Sequence, residues 1–111
     1  MRYPKNLIFA ALMVFAVPAF GQQTAPVGDP KEARKKIAMC EGCHGIPGYK
    51  TAYPSVYRVP KLGGQSAVYL SSALHAYKGG QRQHPSMRGI AAGLTDQDIA
   101  DLALYYAEGH K

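Results

Sequence analysis

Cysteine is scarce in this sequence. There are two, Cys40 and Cys43, and both fall in the stretch MCEGCHG between Met39 and Gly45. That scarcity narrows the chemistry. A structural zinc site takes four protein ligands, so Cys40, Cys43 and His44 would need a fourth from His75, His84 or His110. His44 also follows Cys43 too closely for the usual finger spacing. A disulfide is open to an exported chain, but across two residues it closes a tiny loop and constrains the unfolded chain little. Apolar–polar alternation of the kind a strand shows is missing, and so is any internal repeat. A redox Cys-x-x-Cys of the thioredoxin type needs a strand ahead of it; here the preceding segment is KEARKKIAM, a basic amphipathic helix. Dense basic runs are absent too. Thirteen Lys and Arg stand against seven Asp and Glu, a formal charge of +6, without the clustering that marks a nucleic-acid binder. No apolar run reaches the roughly 20 residues that cross a bilayer.

The longest such run, Leu7 to Phe20, has 14 residues and contains Pro18. Arg2 and Lys5 precede it, and Ala19-Phe20-Gly21 places small residues where a signal peptidase reads. Residues 1–21 are therefore expected to be a secretory signal peptide, with an uncleaved anchor as the alternative. Export implies the periplasm of a bacterium. Removing 21 residues leaves 90, and losing Arg2 and Lys5 lowers the charge from +6 to +4. A mild basic excess suits an acidic protein partner better than a nucleic acid. A domain this small has a thin core and usually needs a staple, a metal or a cofactor.

Residues 22–28 read as a flexible lead, and residues 29–111 as one all-α domain with three main helices. Asp29 as N-cap, Pro30 at the first position and Glu32 open the first helix, which carries Ala33, Ile37 and Cys40 on one face and ends at the cysteines. Gln65 to Lys78 forms the second, with Ala67, Leu70, Leu74 and Tyr77 on one face and Gly79-Gly80 as its stop. Thr95 caps the third, with Asp98 three residues later and Leu94 stapled to Ile99. Gly45 to Gly64 and Gln81 to Leu94 read as irregular. The first of these is long for a loop without its own structure. It carries Tyr49, Tyr53, Val56, Tyr57 and Val59, apolar groups for which so small a core has little room. A large flat cofactor would give them a surface to lie against.

Haem answers both needs. Two thiols at this spacing can add across the two vinyl groups of one haem, and His44 is then held beneath the iron as proximal ligand. C-x-x-C-H is the attachment signature of c-type haem. The far face needs a second ligand if the site is closed, and the candidates are Met39, Met87, His75 and His84. Met39 sits on the proximal helix and His75 in mid-helix beside Leu74. Met87, before the small-residue run Gly89 to Gly93, is favoured, with His84 as the main rival.

From Asp29 onward the sequence resembles the class I cytochromes c, most closely one half of the tandem dihaem members. The shared residues are CEGCHG at Cys40 to Gly45, PKLGGQ at Pro60 to Gln65, Tyr69-Leu70, Met87, Leu94-Thr95, Asp98-Ile99-Ala100 and Tyr105-Tyr106-Ala107. The resemblance implies that Cys40 and Cys43 bind one haem c covalently, and that His44 and Met87 ligate its iron. It also implies that the Pro60 carbonyl fixes the His44 ring. Ala33 stands where the family often has a glycine at the crossing of the first and last helices. There is one C-x-x-C-H, hence one haem. The expected function is electron carriage between periplasmic or membrane redox partners, without catalysis. The alternatives are a cytochrome subunit accepting electrons from a periplasmic dehydrogenase, or a haem enzyme or gas binder with Met87 unligated. Membrane contact is expected only through redox complexes or an uncleaved signal segment. Lys50, Arg58, Lys61, Arg82 and Arg88 flank the haem-binding segments. In this family the haem edge is exposed near the distal ligand, so these cations would form a collar for an acidic redox partner.

Overall fold

The computed structural model describes residues 24–52 and 55–110. The expected signal segment and Tyr53 lie outside those residues. Five helices and one very short hairpin are described: α1 (Pro30–Ala33), α2 (Ala38–His44), β1 (Lys50–Thr51), β2 (Tyr57–Arg58), α3 (Ala67–Lys78), α4 (Pro85–Ala92) and α5 (Asp96–Ala107).

Helix α5 is the centre of the fold, because α1 and α3 both pack on it. Its start follows the capping box: Thr95 Oγ1 accepts from the Asp98 N–H at 3.1 Å, and Asp98 Oδ2 accepts from the Thr95 N–H at 2.9 Å. Two backbone donors that the helix cannot satisfy internally are thereby paired. Ile99, Leu102, Ala103 and Tyr106 of its inner face are buried, and with Leu94, Leu70 and Ala33 they form the core. Ile37 from the turn before α2, Cys40 from α2, and Ala67 and Leu74 from α3 pack on that core, on the faces the sequence periodicity assigns.

Three expectations change. The first helix is not continuous. Residues 34–37 form tight turns in which Lys35 and Lys36 donate to carbonyls three residues back, Glu32 at 3.2 Å and Ala33 at 2.8 Å. There Lys36 leaves the helix surface to pair with Asp98 at the start of α5. The segment from Gln81 to Leu94 is not irregular, since it contains α4, started by Pro85 and by His84 as N-cap. The long loop is not wholly without strand. Lys50 pairs with Arg58 and Thr51 with Tyr57, antiparallel. Two pairs are too few to leave an alternating pattern in the sequence.

The approach to α1 is also tied down. The Asp29 N–H donates to Asp101 Oδ1 at 2.7 Å, and the Val27 carbonyl accepts from Gln97 Nε2 at 2.8 Å. Gly28, between them, lies against the backbone of Ala100.

Candidate functional site

Between α2, the hairpin, α3 and α4 lies a cavity of about 500 Å³. Cys40, Cys43, His44, Pro60 and Met87 all line it, so residues spread over 47 positions of sequence meet around one space. That volume lies within the roughly 300–1,000 Å³ of cofactor sites.

The histidine is held in one orientation. His44, the last residue of α2, brings Nδ1 to 2.7 Å from the Pro60 carbonyl oxygen. A carbonyl can only accept, so Nδ1 carries the hydrogen, and in the neutral ring Nε2 then keeps its lone pair. That is the tautomer a metal ligand needs, with a carbonyl behind it to raise basicity. Cys43 is exposed and Cys40 half-buried, and both are free thiols. Burial pushes the Cys40 thiol up; the Tyr106 hydroxyl works against this and Glu41 adds to it.

Across the cavity, Met87 occupies the first turn of α4 and is half-buried. His84 is three residues away. Its Nδ1 accepts a long hydrogen bond, 3.4 Å, from the Met87 N–H, and its ring meets Tyr57 edge to face at 5.2 Å. A neutral ring that accepts at Nδ1 has its hydrogen on Nε2, so neither nitrogen is free to ligate. The thioether of Met87 has no such commitment. Of the other distal candidates, His75 is exposed near Asp96 at 4.0 Å and does not line the cavity. Met39 lines it from α2, the same element as His44.

Haem fits the residues present. Tyr57, Tyr69 and Met39 line the cavity while remaining substantially exposed, and Leu70, Leu74 and Ile90 form part of its wall. Tyr106, only 3% exposed, also lines it. Its hydroxyl has no hydrogen-bond partner among the described residues. Burial first, and then the neighbouring Cys40, push that phenol well above its ordinary range. A buried polar atom left unpaired beside Cys40, one of the two thiols that would hold the haem, fits a site shaped for a further group.

The cytochrome c family model matches residues 31–108. This chain belongs to the cytochrome c family. It is 45% identical over 83 residues to cytochrome c-554(548) of Halomonas halodenitrificans, covering 72% of this chain and 95% of that protein. With cytochrome c4 of Pseudomonas aeruginosa it shares 41% identity over 80 residues, 72% of this chain but 38% of that protein. This cytochrome thus spans well under half the length of that c4 relative. The crystal structure of reduced recombinant cytochrome c4 from Pseudomonas stutzeri superposes with a TM-score of 0.55 at 29% identity, over 80% of this chain and 55% of that one. The fold is the all-α class I cytochrome c fold, the cofactor is covalently bound haem c, and the protein is an electron carrier.

Three residues of the site neighbourhood escaped the sequence reading. Tyr106 was visible as a member of the apolar stripe of α5, but nothing in spacing says that its ring lines the cavity beside Cys40. Asp101 and Gly28 act over 72 positions of sequence, and their partnership has no local signature.

Proposed function

We propose that Cys40 and Cys43 hold the haem by thioether bonds, that His44 and Met87 are its axial ligands, and that the protein passes single electrons between redox proteins of the bacterial periplasm. The observation that carries this reading is the His44 ring. It is fixed through Nδ1 by the Pro60 carbonyl, which leaves Nε2 as the ligating nitrogen, in a cavity that both cysteines and Met87 share. Bound there, the iron supplies a one-electron change of oxidation state. A methionine sulfur is a weak donor to ferric iron, so His/Met ligation favours a higher potential than two histidines would. With both axial positions occupied by side chains, no position is open for a substrate. The absence, among the described residues, of a helix long and apolar enough to cross a membrane fits a partner reached by diffusion.

Ligation is tested by two variants of the holo protein. Met87→Ala is expected to remove the weak sulfur-to-iron charge-transfer band of the ferric form, lower the potential and allow carbon monoxide to bind. His84→Ala is expected to keep the band. The opposite pair of results would make the iron bis-histidine.

A further inference from the structure

The turn after α3 holds an arginine to which the proposed site gives no task. Arg82 is exposed, yet its side chain is held at two points and its backbone at a third. Its guanidinium lies 4.8 Å from the centroid of the Tyr77 ring, and Nη1 donates to the Tyr69 hydroxyl at 3.3 Å. Its backbone N–H donates to the Ala76 carbonyl at 3.0 Å. Tyr69 and Tyr77 both belong to α3, so a single rigid helix sets where the charge stands. Tyr69, Tyr77 and Arg82 line the same cavity as Cys43 and Met87.

Among the described residues no carboxylate lies within ion-pair distance of Arg82. A guanidinium offers five N–H donors in a planar fork. One donor is used on Tyr69, and Tyr77 covers a face. A fixed fork with donors to spare, at the edge of a largely apolar cavity, suits a carboxylate, which it can grip through two parallel hydrogen bonds. Haem carries two carboxylates. Arg58 and Lys61 line the cavity as well, but among the described residues no aromatic ring stacks on them.

We propose that Arg82, clamped by Tyr69 and Tyr77, is the partner of one haem propionate, and that it keeps the reduction potential raised and insensitive to pH. The inference rests on haem occupying this cavity. Beside a guanidinium the propionate stays ionised, and the pair is neutral as seen from the iron. With a neutral residue at position 82, the ionised propionate is uncompensated and favours ferric iron, so the potential falls. The same propionate then takes up a proton more readily as pH falls. The reduced form takes it up at a higher pH than the oxidised form, so the potential rises as pH falls between those two points.

The test is potentiometric titration of the holo protein, its Arg82→Gln variant and its Arg82→Lys variant, from about pH 4 to about pH 8. Resonance Raman of the propionate bending band accompanies it. The native protein is expected to show a flat potential. Arg82→Gln is expected to lower it at the alkaline end by up to a tenfold change in the equilibrium constant against a mediator, ~59 mV for one electron, and to introduce a slope below. Arg82→Lys is expected to stay nearly flat while shifting the propionate band, because an ammonium replaces a fork. An unchanged potential and band in Arg82→Gln would overturn the proposal. So would a slower reaction with a redox partner at unchanged potential, which would make Arg82 a docking residue. Should Arg82→Gln fail to fold, an unchanged band in Arg82→Lys overturns it instead. Haem that extracts from the native protein is a separate failure, that of the site itself.

Discussion

A methyl group placed on Gly28 would stand 2.3 Å from the carbonyl oxygen of Ala100 and 2.7 Å from its carbonyl carbon. Both are backbone atoms in the middle of α5, so neither can swing aside. Gly28→Ala is therefore expected to force the lead away from α5 and weaken the Asp29 to Asp101 hydrogen bond with it. Overpacking of this kind costs ~1–3 kcal/mol, to be read as a lowered guanidinium midpoint of the holo protein; a loss below about 0.5 kcal/mol would show that the contact relaxes freely. The sequence places Ala33 at the crossing of the first and last helices, and the structure buries it completely. Yet the position that tolerates no side chain is Gly28, five residues earlier. At this scale chemistry was legible and contact was not. Cys40, Cys43 and His44 announce themselves by type and spacing, and Pro60 by resemblance. Gly28, Asp101, Tyr106 and the aromatic clamp on Arg82 depend on neighbours brought together by folding, which no local pattern records.

Among the elements, those with strong end signals were readable. Thr95 with Asp98 pairs two backbone donors that would otherwise go unsatisfied, Asp29 accepts from the Lys31 N–H, and Pro30 brings no donor to satisfy. Helix α4 was missed because its N-cap is a histidine, outside the usual Ser, Thr, Asp and Asn, and because Gly89 interrupts its interior. Pro85 at its first position was the signal available. This difference matters for the site. A methionine on the first turn of a capped helix is held more firmly than one in an irregular loop, which suits the ligand role proposed for Met87. The hairpin of β1 and β2 works in a similar way. It fixes Tyr57 against His84 and leads Arg58 towards Pro60, so the irregular-looking stretch is what shapes one wall of the cavity.

Across the whole molecule, the described residues wrap a thin core beside an apolar-walled cavity, and the sequence carries an excess of positive charge. Arg58 and Lys61 reach the cavity, and Arg88 lines an adjoining open depression with Tyr57 and His84, three cations besides the clamped Arg82. Such an arrangement would steer an acidic partner to the distal edge, raising encounter rate more than affinity. Screening decides whether it does so, since the Debye length shrinks from ~30 Å at 0.01 M salt to ~8 Å at 0.15 M. Electron transfer to an acidic acceptor is expected to slow several-fold over that range, and Arg88→Glu to slow it further at low salt. A rate constant flat in ionic strength, with Arg88→Glu silent, would leave these charges a role in solubility alone.

Everything above depends on haem being tied to this chain through Cys40 and Cys43, and acid–acetone extraction of the denatured holo protein asks that directly. Solvent strips haem that is held only by packing and axial ligands, whereas thioether bonds survive unfolding. The colour is expected to stay with the protein, and Cys43→Ala, left with one thioether, to give a shifted pyridine haemochrome spectrum. Haem passing into the organic phase from correctly matured native protein would contradict the account.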